Sequence, residues 1–200
     1  MKHSNYYMLL IVSTILAGFG STLSAQTLKI NSQSSTVTIL GTTNVHNFQS
    51  KVTQISGDLV ISGKKVQSLK VEVPVKSIKS NEKLMDKKTY EAFDAEKHPN
   101  ITCQLTDAVI QKATTENIDV VVTGNLTMAG VTKKISFNTS GKALKAGTFQ
   151  FNGNVALKMT DFKMKPPTAM LGMMKVGDAI TLKFSIVLAG DPEINELLAK

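Results

Sequence analysis

The sequence predicts an all-β fold, an antiparallel barrel of about eight strands with one short helix between strands. Three observations predict it. Apolar and polar residues alternate with period two in runs of about ten residues, the signature of half-buried strands. Turn residues punctuate the runs at Gly63-Lys64-Lys65, around Thr114 to Asn117, at Gly130 and at Ala146-Gly147. The links are too short for parallel crossovers, which take about a dozen residues or more, so successive strands pair antiparallel.

The first segment is set apart from this pattern. Lys2 precedes an apolar run from Met8 to Phe19, and small residues follow at Ser21, Ser24 and Ala25. That order is the charged, apolar and small-residue succession of a secretory signal peptide. The run is shorter than the roughly 18–20 residues of a spanning helix. Residues 1–25 are therefore expected to be cleaved on export to the periplasm. Removing 25 of 200 residues leaves 175, one domain's worth of chain. The barrel is expected over 26–190, with 191–200 as a short helical or frayed tail.

Strands are expected near 27–31, 35–40, 48–62, 66–77, 100–111, 117–128, 132–144 and 148–159, with a further one at 179–189. In the fourth, Leu69, Val71, Val73 and Val75 alternate with Lys70, Glu72 and Lys76. In the fifth, Ile101, Cys103 and Leu105 alternate with Thr102, Gln104 and Thr106. Ile118, Val120, Val122, Leu126 and Met128 form a less regular stripe, and Ile180, Leu182, Phe184, Ile186 and Leu188 form the last. Long strands that are apolar on one side favour closure over an open sheet with bare edges. The helix is expected from Glu82 to Phe93, capped by Ser80 or Asn81, with Leu84, Met85, Ala92 and Phe93 turned toward one mouth of the barrel.

Composition excludes several function classes. The net charge is +8, or +7 once Lys2 leaves with the leader, and all 23 basic residues are Lys. Sequence-reading nucleic-acid proteins lean on the Arg fork and stacked aromatics; this chain has no Arg and no Trp. No nucleic-acid partner is expected. Scattered lysines suit a solvated surface with a weak attraction to anionic headgroups and transient contact with a membrane surface. The single Cys103 forbids an intramolecular disulfide and shares its face with Ile101 and Leu105, which makes it a small buried hydrophobe. His46 and His98 stand apart without metal-ligand spacing. There is no Gly-x-Ser-x-Gly elbow and no phosphate loop, so no catalysis, metal or cofactor is expected. The long strands are compatible with a homodimer.

Three stretches together resemble the YceI-like family. TYEAFDAEKHPNITCQL, from Thr89 to Leu105, resembles its helix-to-strand signature. VTGNLTMAGVTKKISF, from Val122 to Phe137, resembles its Gly-x-Leu-Thr-x-x-Gly-Val-Thr hairpin. LKMTDFKMKPPTAMLGMMKVGDAITLKF, from Leu157 to Phe184, resembles its closing segment, in the Pro-Pro-Thr-Ala-Met form of Bacteroidetes-type members. The resemblance spans nearly the whole chain after the leader. It implies an extended eight-stranded antiparallel lipocalin-like β-barrel whose apolar tunnel holds a polyisoprenoid or related long-chain lipid. An eight-stranded barrel is just wide enough to be filled by side chains or to hold one slender ligand. The segment from Gly41 to Phe48 departs from the aromatic or charged pair of better-characterised members, which bears on ligand identity and not on fold.

The candidate lining follows from the inward stripes: Val71, Val73, Cys103, Leu105, Val120, Val122, Leu126, Phe137, Phe149, Phe151, Leu157, Leu182 and Phe184. To these a Met-rich loop adds Phe162, Met164, Met170 and Leu171. Met159, Met164, Met170, Met173 and Met174 crowd into one stretch, and flexible thioethers conform to irregular apolar partners. This loop is expected to form a lid near the ligand entrance, stiffened by Pro166-Pro167. The rival expectation is a structural or stress-related envelope protein whose barrel is filled and exchanges no ligand.

Protein recovered from the cell envelope is expected to begin near Gln26. N-terminal sequencing that finds an intact Met1 there would remove the export reading.

Overall fold

The computed structural model describes residues 25–191 apart from 63, 64, 115 and 146. The leader, most of the tail and parts of three predicted turns lie outside the described residues. Among the described residues, twelve strands occur in chain order: β1 Gln26–Ile30, β2 Thr36–Thr43, β3 Asn47–Val52, β4 Ser56–Ser62, β5 Lys65–Pro74, β6 Ile78–Lys79, β7 Asn100–Ala113, β8 Asn117–Met128, β9 Val131–Lys145, β10 Thr148–Lys158, β11 Thr168–Ala169 and β12 Met174–Ala189. One helix, α1 Lys83–Phe93, lies between β6 and β7.

Eight strands form a closed antiparallel ring in the order β1-β4-β5-β7-β8-β9-β10-β12, and β12 returns to β1 through Lys29 opposite Ala189 and Ile30 opposite Leu188. The expected barrel is therefore present. The remaining strands continue the sheet beyond the ring, with β2 on the first part of β12, β3 on β2 and β6 on β3. The chain advances six residues from Ile30 to Thr36 while its partner on β12 retreats three, from Leu188 to Ser185. β1 and β2 are thus one line along the same edge of β12, interrupted by a bulge of three extra residues. The bulge keeps the edge satisfied: Asn31 N donates to Val187 O at 2.8 Å, and Val187 N donates to Ser35 Oγ at 2.9 Å.

Two strands expected as single runs are broken in the same way. The run over 48–62 divides into β3 and β4, and that over 66–77 ends in a 3-10 turn at Val75–Ser77 before β6. The turn is anchored by Ser77, whose Oγ donates to Pro74 O at 2.7 Å, while Val75 N donates to Pro99 O at 2.8 Å. Past this point β6 follows β3, away from β7, so the wall parts and the barrel flares. Helix α1 closes the gap. It buries Phe93 and half-buries Met85 and Ala92, but leaves Leu84 exposed. Tyr90 fastens it, its hydroxyl lying 3.1 and 3.0 Å from the Lys76 and Ile78 carbonyl oxygens and accepting from Lys79 Nζ at 2.7 Å.

The expected cap is corrected. Glu82 occupies the N-cap without a side-chain bond. Ser80 instead sits outside the helix, its hydroxyl bonded to Asp86 Oδ1 at 2.7 Å and accepting from Glu82 N at 3.0 Å. The short polar side chain thus orders the approach to the helix by a local turn, the competition that Ser side chains commonly offer.

Inside the wall, two apolar clusters occupy opposite ends. The helix-end cluster includes Val75, Ile78, Phe93, Leu126, Met128, Val155, Leu157, Met159, Phe162 and Met164. The far-end cluster centres on Leu28, Ile61 and Leu188 with Phe149, Phe151 and Ile186 against it. Three glycines carry rings from the neighbouring strand. Gly41 lies opposite Phe48, Gly141 opposite Phe151 and Gly153 opposite Phe184, and in each pair the ring occupies the space where a glycine Cβ would stand. A strand glycine so covered marks a close approach that any side chain would obstruct.

Gly153→Ala would bring a methyl group to 2.5 Å from Phe184 Cζ and 2.9 Å from Asn138 O. It is expected to destabilise the protein by about 1–3 kcal/mol. In urea unfolding, the Gly153→Ala/Phe184→Leu pair should show a coupling of about 1 kcal/mol. Strict additivity would mean that ring and glycine are not energetically paired.

Candidate ligand-binding interior

Register decides which side chains face inward, because strand side chains alternate between faces. Starting from the clustered residues, the inward rows cross the wall in continuous lines. Val71 faces Cys103, which faces Leu126; Val73 faces Ile101; Leu105 faces Gly124. Val122 faces Phe137 and Val120 faces Thr139. Phe149 faces Leu188, Phe151 faces Ile186, Val155 faces Leu182 and Leu157 faces Ile180. The predicted strand residues of the lining therefore fall on one face, the inner one. Phe137 and Phe184 meet across Gly153, their ring centroids 5.7 Å apart and nearly perpendicular.

The inner face is almost uncharged. Among the described residues the register gives it one ionisable basic group, Lys133 opposite Leu126 near the β8–β9 hairpin, and Lys133 is exposed. Buried Thr139 spends its hydroxyl on Asn152 O at 2.9 Å. Such a surface offers contact to hydrocarbon and few polar groups to orient a headgroup. Cys103 belongs to it, and burial pushes its thiol pKa up, away from the reactive thiolate.

Several inward residues remain partly accessible. Val71, Cys103, Phe137, Leu182 and Phe184 are half-buried although they lie within strands and not at hairpins. Val120, Val122, Leu126 and Leu157 are buried. Cys103, Phe137, Leu182 and Phe184 pack against the buried helix-end cluster without being fully enclosed by it.

At the flared end, a cavity of about 50 Å³ lies beneath α1. Ile39, Phe48, Met85, Phe93, Met159 and Met164 line it. Ile180 belongs to the last apolar stripe, but period-two reasoning does not single out Ile39 and Phe48 as lining, because their face is set by the pairing of β2 with β12, distant in sequence, and of β3 with β2. The apolar side of the helix was the available signal for Met85 and Phe93.

The Met-rich loop divides in two. Met159, Phe162 and Met164 are buried, Phe162 at 2% exposure, and plug the helix end through a 3-10 turn at Met159–Phe162. Met170, Leu171 and Met173 stand outside and exposed. The structure thus places Phe162 and Met164 with the lining, and Met170 and Leu171 on the outer rim. Asp178 ties the plug to β12, accepting from Thr160 N at 2.8 Å and from Thr160 Oγ1 at 2.7 Å. His46 sits in the exposed β2–β3 turn, and the His98 ring lies over Gly130.

The YceI-like domain profile matches residues 28–188. Among solved structures, the fold is similar to BcnA of Burkholderia cenocepacia, with TM-score 0.65 and 19% identity, covering 79% of this chain and 98% of that one. It is similar to a polyisoprenoid binding domain from Saccharophagus degradans, with TM-score 0.68 and 14% identity over 84% of this chain and 99% of that one. A YceI protein from Campylobacter jejuni gives TM-score 0.57 and 22% identity over 71% and 84%. At these identities the likeness is one of fold. No curated protein matches the chain in sequence.

The Thr160 hydroxyl, followed by the Thr160 amide, holds the Asp178 carboxyl below its ordinary pKa. A depressed carboxyl stabilises the fold above its unfolded pKa, and that contribution is lost as pH falls through the folded value. Stability is therefore expected to decline as pH drops below about 4, and Asp178→Ala should remove that part of the decline. Identical acid limbs for the two proteins in pH-dependent thermal unfolding would show that the Thr160 tether contributes nothing.

Proposed function

This chain belongs to the YceI-like domain family, and from that premise we propose that it is an exported periplasmic binding protein. It holds an apolar long-chain lipid, a polyisoprenoid, in the barrel interior and catalyses no reaction. The observation that carries the reading is the inner face itself: continuous apolar rows whose mid-strand members Val71, Leu182 and Phe184 stay half-buried within a closed wall. A hydrocarbon tail lying against them would gain about 0.8 kcal/mol for each buried CH₂, before the costs of ordering it. A family-level argument points the same way, since one similar structure is a polyisoprenoid binding domain. Export is supported by the succession of Lys2, the run from Met8 to Phe19 and the small residues to Ala25.

A second reading, a filled-barrel envelope protein that acts through its surface, is favoured by the size of the cavity beneath α1. Its volume of about 50 Å³ is far below the roughly 300–1,000 Å³ of small-molecule pockets. For a lipid to pass here, Met85, Met159 and Met164 must move aside, which unbranched thioether side chains do at low cost.

Organic extraction and mass spectrometry of protein from its native envelope is expected to yield a stoichiometric polyisoprenoid. The inward Cys103 supplies an independent readout. Its half-buried thiol, covered by the lipid, should alkylate slowly at pH 8 and several-fold faster once the lipid is removed from the folded protein. No extractable lipid together with an unchanged alkylation rate would favour the filled barrel.

A further inference from the structure

The rim of the flared end carries an apolar projection that neither core includes. Between Pro167, which lines the cavity under α1, and Val176, which also lines it, the chain leaves the barrel and returns through the β11–β12 pair. At its tip Met170 is 62% exposed, Met173 71% exposed and Leu171 fully exposed. The neighbouring β2–β3 turn presents Val45, also 69% exposed. Large apolar side chains are rarely gathered on a soluble surface without a partner.

The backbone holds this tip in a costly shape. Met170 and Leu171 both take left-handed conformations, with φ of 51° and 55°, followed by Gly172 at 88°. Left-handed residues without the freedom of glycine are strained and persist only where the surroundings over-determine them. Asn44 provides that constraint. Its side-chain amide donates to Met173 O at 2.9 Å, its side-chain carbonyl accepts from Lys175 N at 2.8 Å, and its own N donates to Lys175 O at 3.0 Å. These bonds keep the tip beside the Val45 turn and turned away from the core.

The charge around it is mainly positive. The segment from Lys158 to Lys175 carries Lys158, Lys163, Lys165 and Lys175 against Asp161, with Asp178 following on β12 beside Thr160. On α1, which covers the same mouth, Lys83 and Lys87 are exposed. Of the acidic groups on α1 and just after it, Glu91, Asp94 and Glu96 are paired with Lys88, Lys97 and Lys76, which leaves Glu82 and Asp86 beside the exposed Lys83 and Lys87. An apolar tip on a lysine-rich segment matches a bilayer with anionic headgroups, where apolar burial and electrostatic attraction add.

We infer that the Met170–Met173 tip, with Val45, docks the flared mouth onto an anionic lipid bilayer, so that a lipid passes between membrane and barrel without crossing water. The inference rests on the proposed lipid-binding function for its purpose, but the docking itself is measured separately. Flotation of the protein with vesicles of phosphatidylcholine and with an equal mixture of phosphatidylcholine and phosphatidylglycerol should show binding to the mixture and much less to the neutral vesicles. Met170→Gln/Leu171→Gln should weaken that binding roughly tenfold or more, given the apolar area withdrawn, with the thermal midpoint and the lipid content of the purified protein unchanged. Protein that retains extractable lipid but ignores both vesicles overturns the docking and leaves the binding function standing. Protein that floats with the mixture, loses this in the double variant and carries no lipid supports the docking and overturns the lipid-binding reading. Equal flotation of parent and variant overturns the docking, as does a parent dimer that ignores vesicles and falls apart in the variant, which would make the tip a contact between copies.

Discussion

The barrel depends on one strand edge being filled completely. β12 gives one edge to β10 over its last eleven residues and offers the other to two short strands in turn, β2 and then β1. Backbone donors and acceptors left bare in a sheet edge invite pairing with other chains. Here the edge is satisfied through an irregularity, the three-residue bulge where Asn31 and the Ser35 hydroxyl stand in for a regular ladder at Val187. The closure is narrow, two residue pairs plus these bonds, yet the separation of an inside from an outside rests on it.

The same bulge sets the two ends apart. On one side of it β1, β4 and β5 complete the ring, and Leu28 and Ile61 pack on Leu188. On the other, β2, β3 and β6 lean away with the parted wall, and a helix and a methionine-bearing turn fill the gap. The far end is built of paired strands. The flared end is built of α1 and the Met159–Phe162 turn, joined to the wall by Tyr90 and Asp178. Elements held by a few side-chain bonds open more readily than those held by ladders, so the flared end is the one that opens more readily.

Much of this was legible from alternation alone. The stripes Val71–Val73, Val120–Leu126 and Leu182–Leu188 identify the inner face because a single buried side imposes period two along every strand. Strand continuity was less legible. The chain over 48–62 alternates tolerably through Thr53 to Ile55, and only the partners of those residues show that the line breaks there. The helix was visible in its apolar positions, while its cap differs because Ser80, outside the helix, bonds to the Asp86 side chain and the N-cap falls on Glu82. The Met-rich loop showed the limit most clearly: composition marked Met164 and Met170 alike, but one is buried and the other exposed, a distinction set by backbone conformation around Leu171 and by Asn44, distant in sequence. The fold was thus written in local periodicity, and the rim of the site in long-range contacts.

The paired glycines and rings carry a consequence for how the bore can change over time. At Gly41–Phe48, Gly141–Phe151 and Gly153–Phe184, the bulk of two facing positions is concentrated in one of them. At Gly41–Phe48 and Gly141–Phe151, exchanging the two residues would move a ring from one strand to its neighbour while conserving volume, whereas changing either alone creates a clash or a void; at Gly153 the Asn138 carbonyl oxygen also stands in the way. Divergence at these sites should therefore proceed by compensated double steps. Such pairs at different heights give the interior a set of discrete contours, with the scaffold that closes it left intact.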